Sequence, residues 1–506
     1  RALFIASSVS LLVTSLSFGI RAGILNQLGV DFELNTAQLG RIAATAFWGF
    51  PISMIVGGAL VDRVGMKNLM RLAYLGHFAG ILLTIFAGGF WSLWISTLFI
   101  GLANGMVEAV CNPLIASIYP EEKTAKLNQF HLWFPGGIVI GSLVAFFFAK
   151  MGLSWQLMMA VMIVPTLWYA VQMERLTFPV TERVANAVSD SQMYKSMLNP
   201  LFIIVTIAML GTATTELFIN QWVDVLLHSV SDNAILILFI TTGVMTFGRG
   251  IAAPVVKKIS TTGMLLLSAI ITTIGLYLMG TTEGSMLFVS AFIFGIGVTY
   301  FWPTMLGFVA TYLPNTGAIG LAVVGAAGMF AVSIYTQVMG NYYEDLRIEK
   351  EVSPLTTVVF EPGAGYESAV WSNYKCVNTN EAGDIVFGNY GAIVVGYPTE
   401  HATQSIELVS LGEGSHVITF PVSSGTSDTL EGLVAGTYAL TVTDTAGVVH
   451  TNELTIADLD QDCNNITDAI EPELGRTIIT KTLRIPLVLI FIFIGIHLHI
   501  RRRTQS

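Results

Sequence analysis

Charge is scarce in this chain. Only 11% of its 506 residues are Asp, Glu, Lys or Arg, less than half of the roughly 25% found in an average soluble protein. That scarcity excludes a disordered or coiled-coil chain, both of which are charge-rich. Cysteine is scarcer still, at three, too few for a disulfide-stapled secreted scaffold. No phosphate-cradling glycine loop occurs, so ATP drive is not expected. No nucleophile–base arrangement supports an enzyme, and no nucleic-acid partner is expected. What is present is apolar: 53% hydrophobic residues with 48 Gly and 19 Met, at a mean hydropathy of +0.68. That composition belongs to a polytopic helical membrane protein. The net charge of −10 is unevenly spread. Between Glu344 and Thr480 stand 4 Lys/Arg and 21 Asp/Glu, a balance of −17, which leaves +7 for the rest.

Outside that acidic stretch 369 residues remain. A helix and its connection take about 30 residues to cross a bilayer and turn, so about twelve spans fit. Apolar runs place them near 2–26, 37–60, 69–90, 92–118, 130–149, 155–173, 199–223, 233–255, 263–280, 285–312, 317–341 and 481–500. The first run is too long for a cleaved leader and lacks its small-residue cleavage pattern, so it reads as span 1. Cations then set the direction, because cytoplasmic loops collect Lys and Arg. Arg63, Lys67 and Arg71 lie between spans 2 and 3, Lys123 and Lys126 between spans 4 and 5. Arg175, Arg183 and Lys195 follow span 6. Arg249, Lys257 and Lys258 end span 8, and Arg501, Arg502 and Arg503 form the tail. The alternate loops are cation-poor, with Lys150 as the exception. Both termini are therefore expected inside and the acidic insert outside.

Gly58-Ala-Leu-Val-Asp62-Arg63-Val-Gly65-Met66-Lys67 lies between spans 2 and 3. It resembles the loop signature of the major facilitator superfamily. Gly58 permits close helix contact, Asp62 can engage a helix end and an Arg, and Gly65 turns the chain. Arg63 and Lys67 hold this gating loop at the cytoplasmic face. A degraded second copy runs from Gly248-Arg249-Gly250 to Lys257-Lys258, where a repeat of the first half would put it. In span 4, Gly101-Leu-Ala-Asn104-Gly105-Met-Val-Glu108-Ala-Val-Cys111-Asn112-Pro113 resembles a segment of the fucose:proton symporter family and related sugar permeases. His131-Leu-Trp133-Phe-Pro135, Thr215-Glu216 with Asn220-Gln221-Trp222, and Tyr300-Phe-Trp302-Pro303 are similar to bacterial relatives of that family. That symporter's acid in span 1 has no counterpart; the nearest ionisable residue is Arg21. The resemblance implies that spans 1, 4, 7 and 10 line a central cavity.

Ionisable residues at membrane depth usually face a cavity or a partner. Here they are Arg21 in span 1, His77 in span 3, Glu108 in span 4, His131 at the start of span 5 and Glu216 in span 7. Asn104, Glu108 and Asn112 are spaced four apart, so they share one face of span 4. That face can bind hydroxyls and take a proton; the alternative is a structural Arg21–Glu108 pair. Glu216, Asn220, Gln221 and Trp222, with Tyr300 and Trp302 from span 10, combine acceptors, amides and aromatic plates as a sugar site does. The aromatics read alternatively as interface anchors. His131 can carry a proton or simply be hydrogen-bonded, and His77 reads as structural.

From about residue 360 the period changes to alternating β-type runs between Gly, Asn and Ser turns, as in a small β-sandwich. The run from Ala435 to Asp444 resembles the closing strand of immunoglobulin-like repeats in bacterial surface adhesins. Asp460, Asp462, Asn464, Asp468 and Glu471, with the carbonyl of Ile466, have the spacing of an EF-hand-type Ca2+ loop and resemble thrombospondin type 3 repeats. The alternative is a solvated acidic linker. Cys376 and Cys463 are either a disulfide, worth on the order of 4 kcal/mol for a loop of this length, or free thiols.

The expected fold class is an all-α polytopic membrane protein, a twelve-helix major facilitator fold of two six-helix halves, with an inserted β-sandwich. The halves are 1–175 and 199–343 completed by 481–506, joined by a linker at 176–198, with the insert at 344–480. The expected function is secondary transport of a sugar or similar polar molecule by alternating access, coupled to protons. The rivals are transport of another polar metabolite and a membrane-anchored surface binding module. Transport needs no cofactor, and Ca2+ is expected in the insert. Expected partners are the substrate, protons and the lipid of an inner membrane, with the insert touching a surface ligand or protein. The chain is expected to be a monomer.

Overall fold

The computed structural model describes the backbone of residues 1–34, 36–227, 234–352 and 463–505, and eight strands between Thr356 and Ile456. The side chains of 347–472 lie outside the described residues. The chain divides into two compact units, Arg1–Gly340 with Gly475–Ser506, and Asn341–Leu474.

In hydrocarbon every backbone N–H and C=O needs an internal partner, so long apolar runs wind into helix. Among the described residues eleven helices are long and apolar enough to cross a membrane. Spans 1 to 6 are Ala2–Leu25, Gln38–Val64, Met66–Ile85, Phe90–Ile118, Lys123–Lys150 and Trp155–Arg175. Span 7 is Pro200–Trp222, and spans 9 to 12 are Ala252–Thr281, Met286–Tyr312, Pro314–Tyr343 and Glu473–Arg502. The shorter apolar helix Leu236–Gly250 occupies the place of span 8. The protein is a multi-pass membrane protein. Span 2 packs on 4, 3 on 4, 3 on 6 and 1 on 6; the same pairings recur as 8 on 10, 9 on 10, 9 on 12 and 7 on 12. This repetition defines two six-helix halves.

Several spans depart from the expected ends for a physical reason. Span 5 begins at Lys123, not near 130, because its polar first turns find partners in the second half of the protein. Lys123 Nζ donates to the Ala310 carbonyl at 3.0 Å, and Asn128 Nδ2 to Thr304 Oγ1 at 3.1 Å. Span 9 reaches back to Ala252 through a kink at Ser260, whose φ is 63°. Span 7 starts on a side-chain cap, Asn199 Oδ1 accepting the Leu201 N–H at 2.9 Å. It then loosens into a π-turn at Thr214–Phe218, a device often found at functional sites.

Prolines accompany several helix breaks, and two of these bear on the site. A proline cannot donate to the carbonyl four residues before it. Pro303 therefore frees the carbonyl of Thr299, and span 10 divides into Met286–Val298 and Phe301–Tyr312. Pro135 likewise frees the carbonyl of His131, and span 5 divides into Lys123–His131 and Trp133–Lys150.

In the second unit the strands are β1 Thr356–Phe360, β2 Ser368–Thr379, β3 Ile385–Gly396, β4 Thr403–Ser410, β5 Val417–Phe420, β6 Ser427–Leu433, β7 Gly436–Asp444 and β8 Val449–Ile456. They pair antiparallel in the orders β1-β2-β3-β6 and β5-β4-β7-β8. The sandwich expectation concerns side chains between the sheets, which lie outside the described residues. So do Asp460 and Asp462, and the side chains of Asn464, Ile466, Asp468, Glu471, Cys376 and Cys463. A calcium loop keeps open, turning backbone through its ligands. The chain is instead helical from Cys463, so residues 464–471 depart from that expectation. Among the described residues no group of three His, Cys, Asp or Glu is placed to hold a metal.

Candidate functional site

The end of the helical unit that carries the linker between the halves is closed. The signature loop turns at Gly65, whose φ of +87° suits glycine. Asp62 accepts from Thr181 Oγ1 and from Arg183 Nε, both at 2.5 Å. Arg183 also reaches the Val188 carbonyl at 2.7 Å and Asp190 at 3.1 Å. Arg63 pairs with Asp190 at 3.2 Å in the open, a contact worth little. Lys67 Nζ donates to the Glu174 carbonyl at 2.5 Å. Gly58 lies against span 11 so closely that a Cβ there would collide with the Ala322 methyl. Thr124 and Thr261 meet at 3.2 Å, again across the two halves.

Halfway along the bundle a buried polar network spans both halves. Arg249 and Glu216 are each 1% exposed and are joined by Nη2 and Oε1 at 2.6 Å. Arg249 Nε donates to the Thr299 carbonyl at 2.7 Å, and Nη1 to the His131 carbonyl at 3.1 Å. These are the two acceptors that Pro303 and Pro135 release, one from each half. The second oxygen of Glu216 accepts the Trp302 N–H, freed by the break in span 10, at 3.3 Å. Tyr300 Oη donates to the Gly248 carbonyl at 3.0 Å. On the side of the first half, Asn112 Nδ2 donates to Glu108 Oε2 at 2.6 Å, and His131 Nε2 meets Asn112 Oδ1 at 3.0 Å. An amide oxygen only accepts, so His131 carries its hydrogen on Nε2. Its Nε2 is 3.7 Å from Glu108 Oε2. Glu108, His131, Glu216, Arg249 and Trp302 surround a pocket of about 10 Å3.

Beyond Glu216, away from the linker end, the halves separate around a cavity of about 490 Å3. Arg21, Trp48, Glu216, Asn220, Gln221, Trp222, Thr336 and Gln337 line it with apolar neighbours. Trp222 is braced by Phe218, their ring centroids 5.4 Å apart. Ligand sites are commonly of this size and make-up, mostly apolar with a few convergent polar groups.

Residues 3–336 match the Major Facilitator Superfamily. The chain belongs to that superfamily, which is one of transporters and not of enzymes. Over 167 residues it is 25% identical to the facilitated glucose transporter member 10 of solute carrier family 2 from Xenopus tropicalis, 32% of this chain and 30% of that protein. It is 24% identical over 148 residues to the D-xylose transporter of Levilactobacillus brevis, 29% of this chain and 32% of that one. The chain thus spans about a third of the length of these relatives. A probable sugar efflux transporter from Helicobacter pylori is 22% identical over 300 residues, 58% of this chain and 75% of that one. The proton:xylose symporter XylE shares the fold at TM-score 0.57 and 15% identity, over 69% of this chain and 89% of that one. The Escherichia coli fucose:proton symporter FucP does so at 0.57 and 14%, over 69% and 94%.

Within this superfamily fold the candidate residues separate into groups. Arg21, Glu216, Asn220, Gln221 and Trp222 line the cavity, while Glu108, His131 and Trp302 surround the small pocket beneath it. Asn112 links Glu108 to His131. Asn104 does not join them. Its Oδ1 meets His77 Nε2 at 2.8 Å and its Nδ2 donates to Ser17 Oγ at 3.2 Å, so it ties spans 3 and 1 to span 4. The ring of His77 is fixed at its other nitrogen by Tyr169 Oη at 2.8 Å. Arg21 and Glu108 form no pair. Arg249, read from sequence only as one of the cytoplasmic-side cations that end span 8, is the hub of the network. It lies in the last turn of span 8, where a cation at the end of an apolar run looks like a loop residue. The informative signal was Glu216, an acid in the neighbouring span whose burial demands a counter-charge.

Proposed function

We propose that this protein is a secondary transporter that moves a sugar or a similar polar small molecule by alternating access, with protons as the coupling ion. The observation that carries the reading is the cavity of about 490 Å3 between two repeat-related halves. It is closed at the linker end and floored by the Glu216–Arg249 pair. Trp222 offers a flat ring for a sugar's C–H face, and Asn220 and Gln221 offer amides for its hydroxyls. Glu108, hydrogen-bonded by Asn112 and close to His131, is the proton site. The cations of the linker end mark it as cytoplasmic, which makes this an outward-facing state with both termini inside. Reconstituted in proteoliposomes, the full chain is expected to accumulate a labelled sugar several-fold under an acid-outside gradient and to lose it on adding a protonophore. Absence of gradient-driven uptake across a panel of hexoses, pentoses and their acids would sink the proposal.

The acidic insert, between spans 11 and 12, is proposed to be an extracytoplasmic immunoglobulin-like module on a monomeric inner-membrane protein. Protease added outside spheroplasts is expected to cut within 344–472 and leave the helical unit intact. Cleavage only after the spheroplasts are lysed would reverse the orientation.

A further inference from the structure

We infer that the transported molecule carries a single carboxylate, that Arg21 binds it, and that the substrate class is a sugar acid of the hexuronate kind. This rests on the transport reading above. Arg21 stands in span 1 at 9% exposure and lines the central cavity. Its Nη2 is buried without a hydrogen-bond partner, and among the described residues Arg21 forms no ion pair. The other buried guanidiniums of the same unit are matched. Arg249 has Glu216 and two carbonyls, and Arg183 has Asp62, Asp190 and a carbonyl. A buried charge without a partner is costly unless something supplies the opposite charge, and Arg21 lines the cavity in which a ligand can do so.

The charge balance of the wall narrows the ligand. Among the described residues the cavity is lined by two charged side chains, Arg21 and Glu216, and Glu216 is already neutralised by Arg249. One positive charge remains, which matches a carboxylate and falls short of a phosphate dianion. The planar fork of a guanidinium fits the two oxygens of a carboxylate. The rest of the lining suits a polyol. Asn220, Gln221 and Gln337 bring amides, Thr336 brings a hydroxyl whose oxygen has no partner, and Trp222 brings a ring face.

The test is competition for binding and uptake with the purified full-length protein, using D-glucuronate, D-glucose and inorganic phosphate as probes. The wild type is expected to bind glucuronate at least tenfold more tightly than glucose, with phosphate a poor competitor. Arg21→Gln is expected to weaken glucuronate binding about a hundredfold and bring the glucuronate-to-glucose ratio close to one. Arg21→Lys, which keeps the charge but not the fork, is expected to fall between the two. Equal binding of glucuronate and glucose by the wild type overturns the inference without recourse to any variant. So does a ratio unchanged by Arg21→Gln, or competition by phosphate as strong as that by glucuronate. Gradient-driven uptake of glucose without glucuronate overturns the inference and leaves the transport reading standing. Uptake of neither, nor of any other sugar, overturns both.

Discussion

Arg249→Met is expected to abolish transport and to destabilise the helical unit by about 3–5 kcal/mol, the usual cost of removing one partner from a buried ion pair. The loss has three parts. Glu216 is left as an uncompensated charge, since Arg249 is its ion-pair partner at 2.6 Å. The carbonyls of Thr299 and His131, released by Pro303 and Pro135, lose the donor that both share. The two halves also lose a direct bond, because His131 belongs to span 5 and Arg249 to span 8. Proteoliposome uptake measures the loss of transport and thermal unfolding in detergent the loss of stability. A charge-free double variant, Glu216→Leu with Arg249→Met, is expected to regain part of the stability and none of the transport, because replacing a buried pair with apolar groups is often nearly neutral. If Arg249→Met unfolds like the wild type, the pair does not hold the two halves together.

Glu108→Gln is the second large effect. Glutamine keeps an oxygen where Asn112 Nδ2 donates, now 2.6 Å from Glu108 Oε2, so the local geometry survives while the proton site disappears. Uptake against a concentration gradient under an imposed pH difference is expected to fall at least tenfold, whereas exchange of labelled for unlabelled substrate continues in part. The separation between these two readouts is the point of the experiment. Equal loss of both would make Glu108 part of the substrate site; no loss of accumulation would make it purely structural.

Much of the architecture was legible because hydrocarbon imposes a simple rule: an apolar run of sufficient length becomes a helix. The acids at membrane depth were legible for the converse reason, since Glu108 and Glu216 interrupt runs that otherwise avoid charge. Pairings were not. Spacing places Asn104, Glu108 and Asn112 on one face of span 4, yet it is silent on which neighbour each meets. Asn104 turns out to bind His77 and Ser17, and Asn112 binds His131. The start of span 5 was hidden because Lys123 and Asn128 look like loop residues until their partners in span 10 are in place. Arg249 was hidden likewise, a cation near a run's end being indistinguishable from a loop cation. The two prolines were visible as helix breakers, but that their freed carbonyls converge on one guanidinium follows only from three-dimensional packing.

The position of the insert also sets an order of events during synthesis. About 130 residues separate span 11 from span 12, which at ribosomal rates of about 5–20 residues per second is a delay of roughly 7–26 s. Throughout that interval spans 7 and 9 have no span 12 to pack against. The groove at Gly211, later filled by Ile485 and Leu489, faces lipid until the last helix arrives. The second half is thus completed by a late docking step, and a nascent chain stalled within the insert holds an eleven-helix bundle with one seam still open.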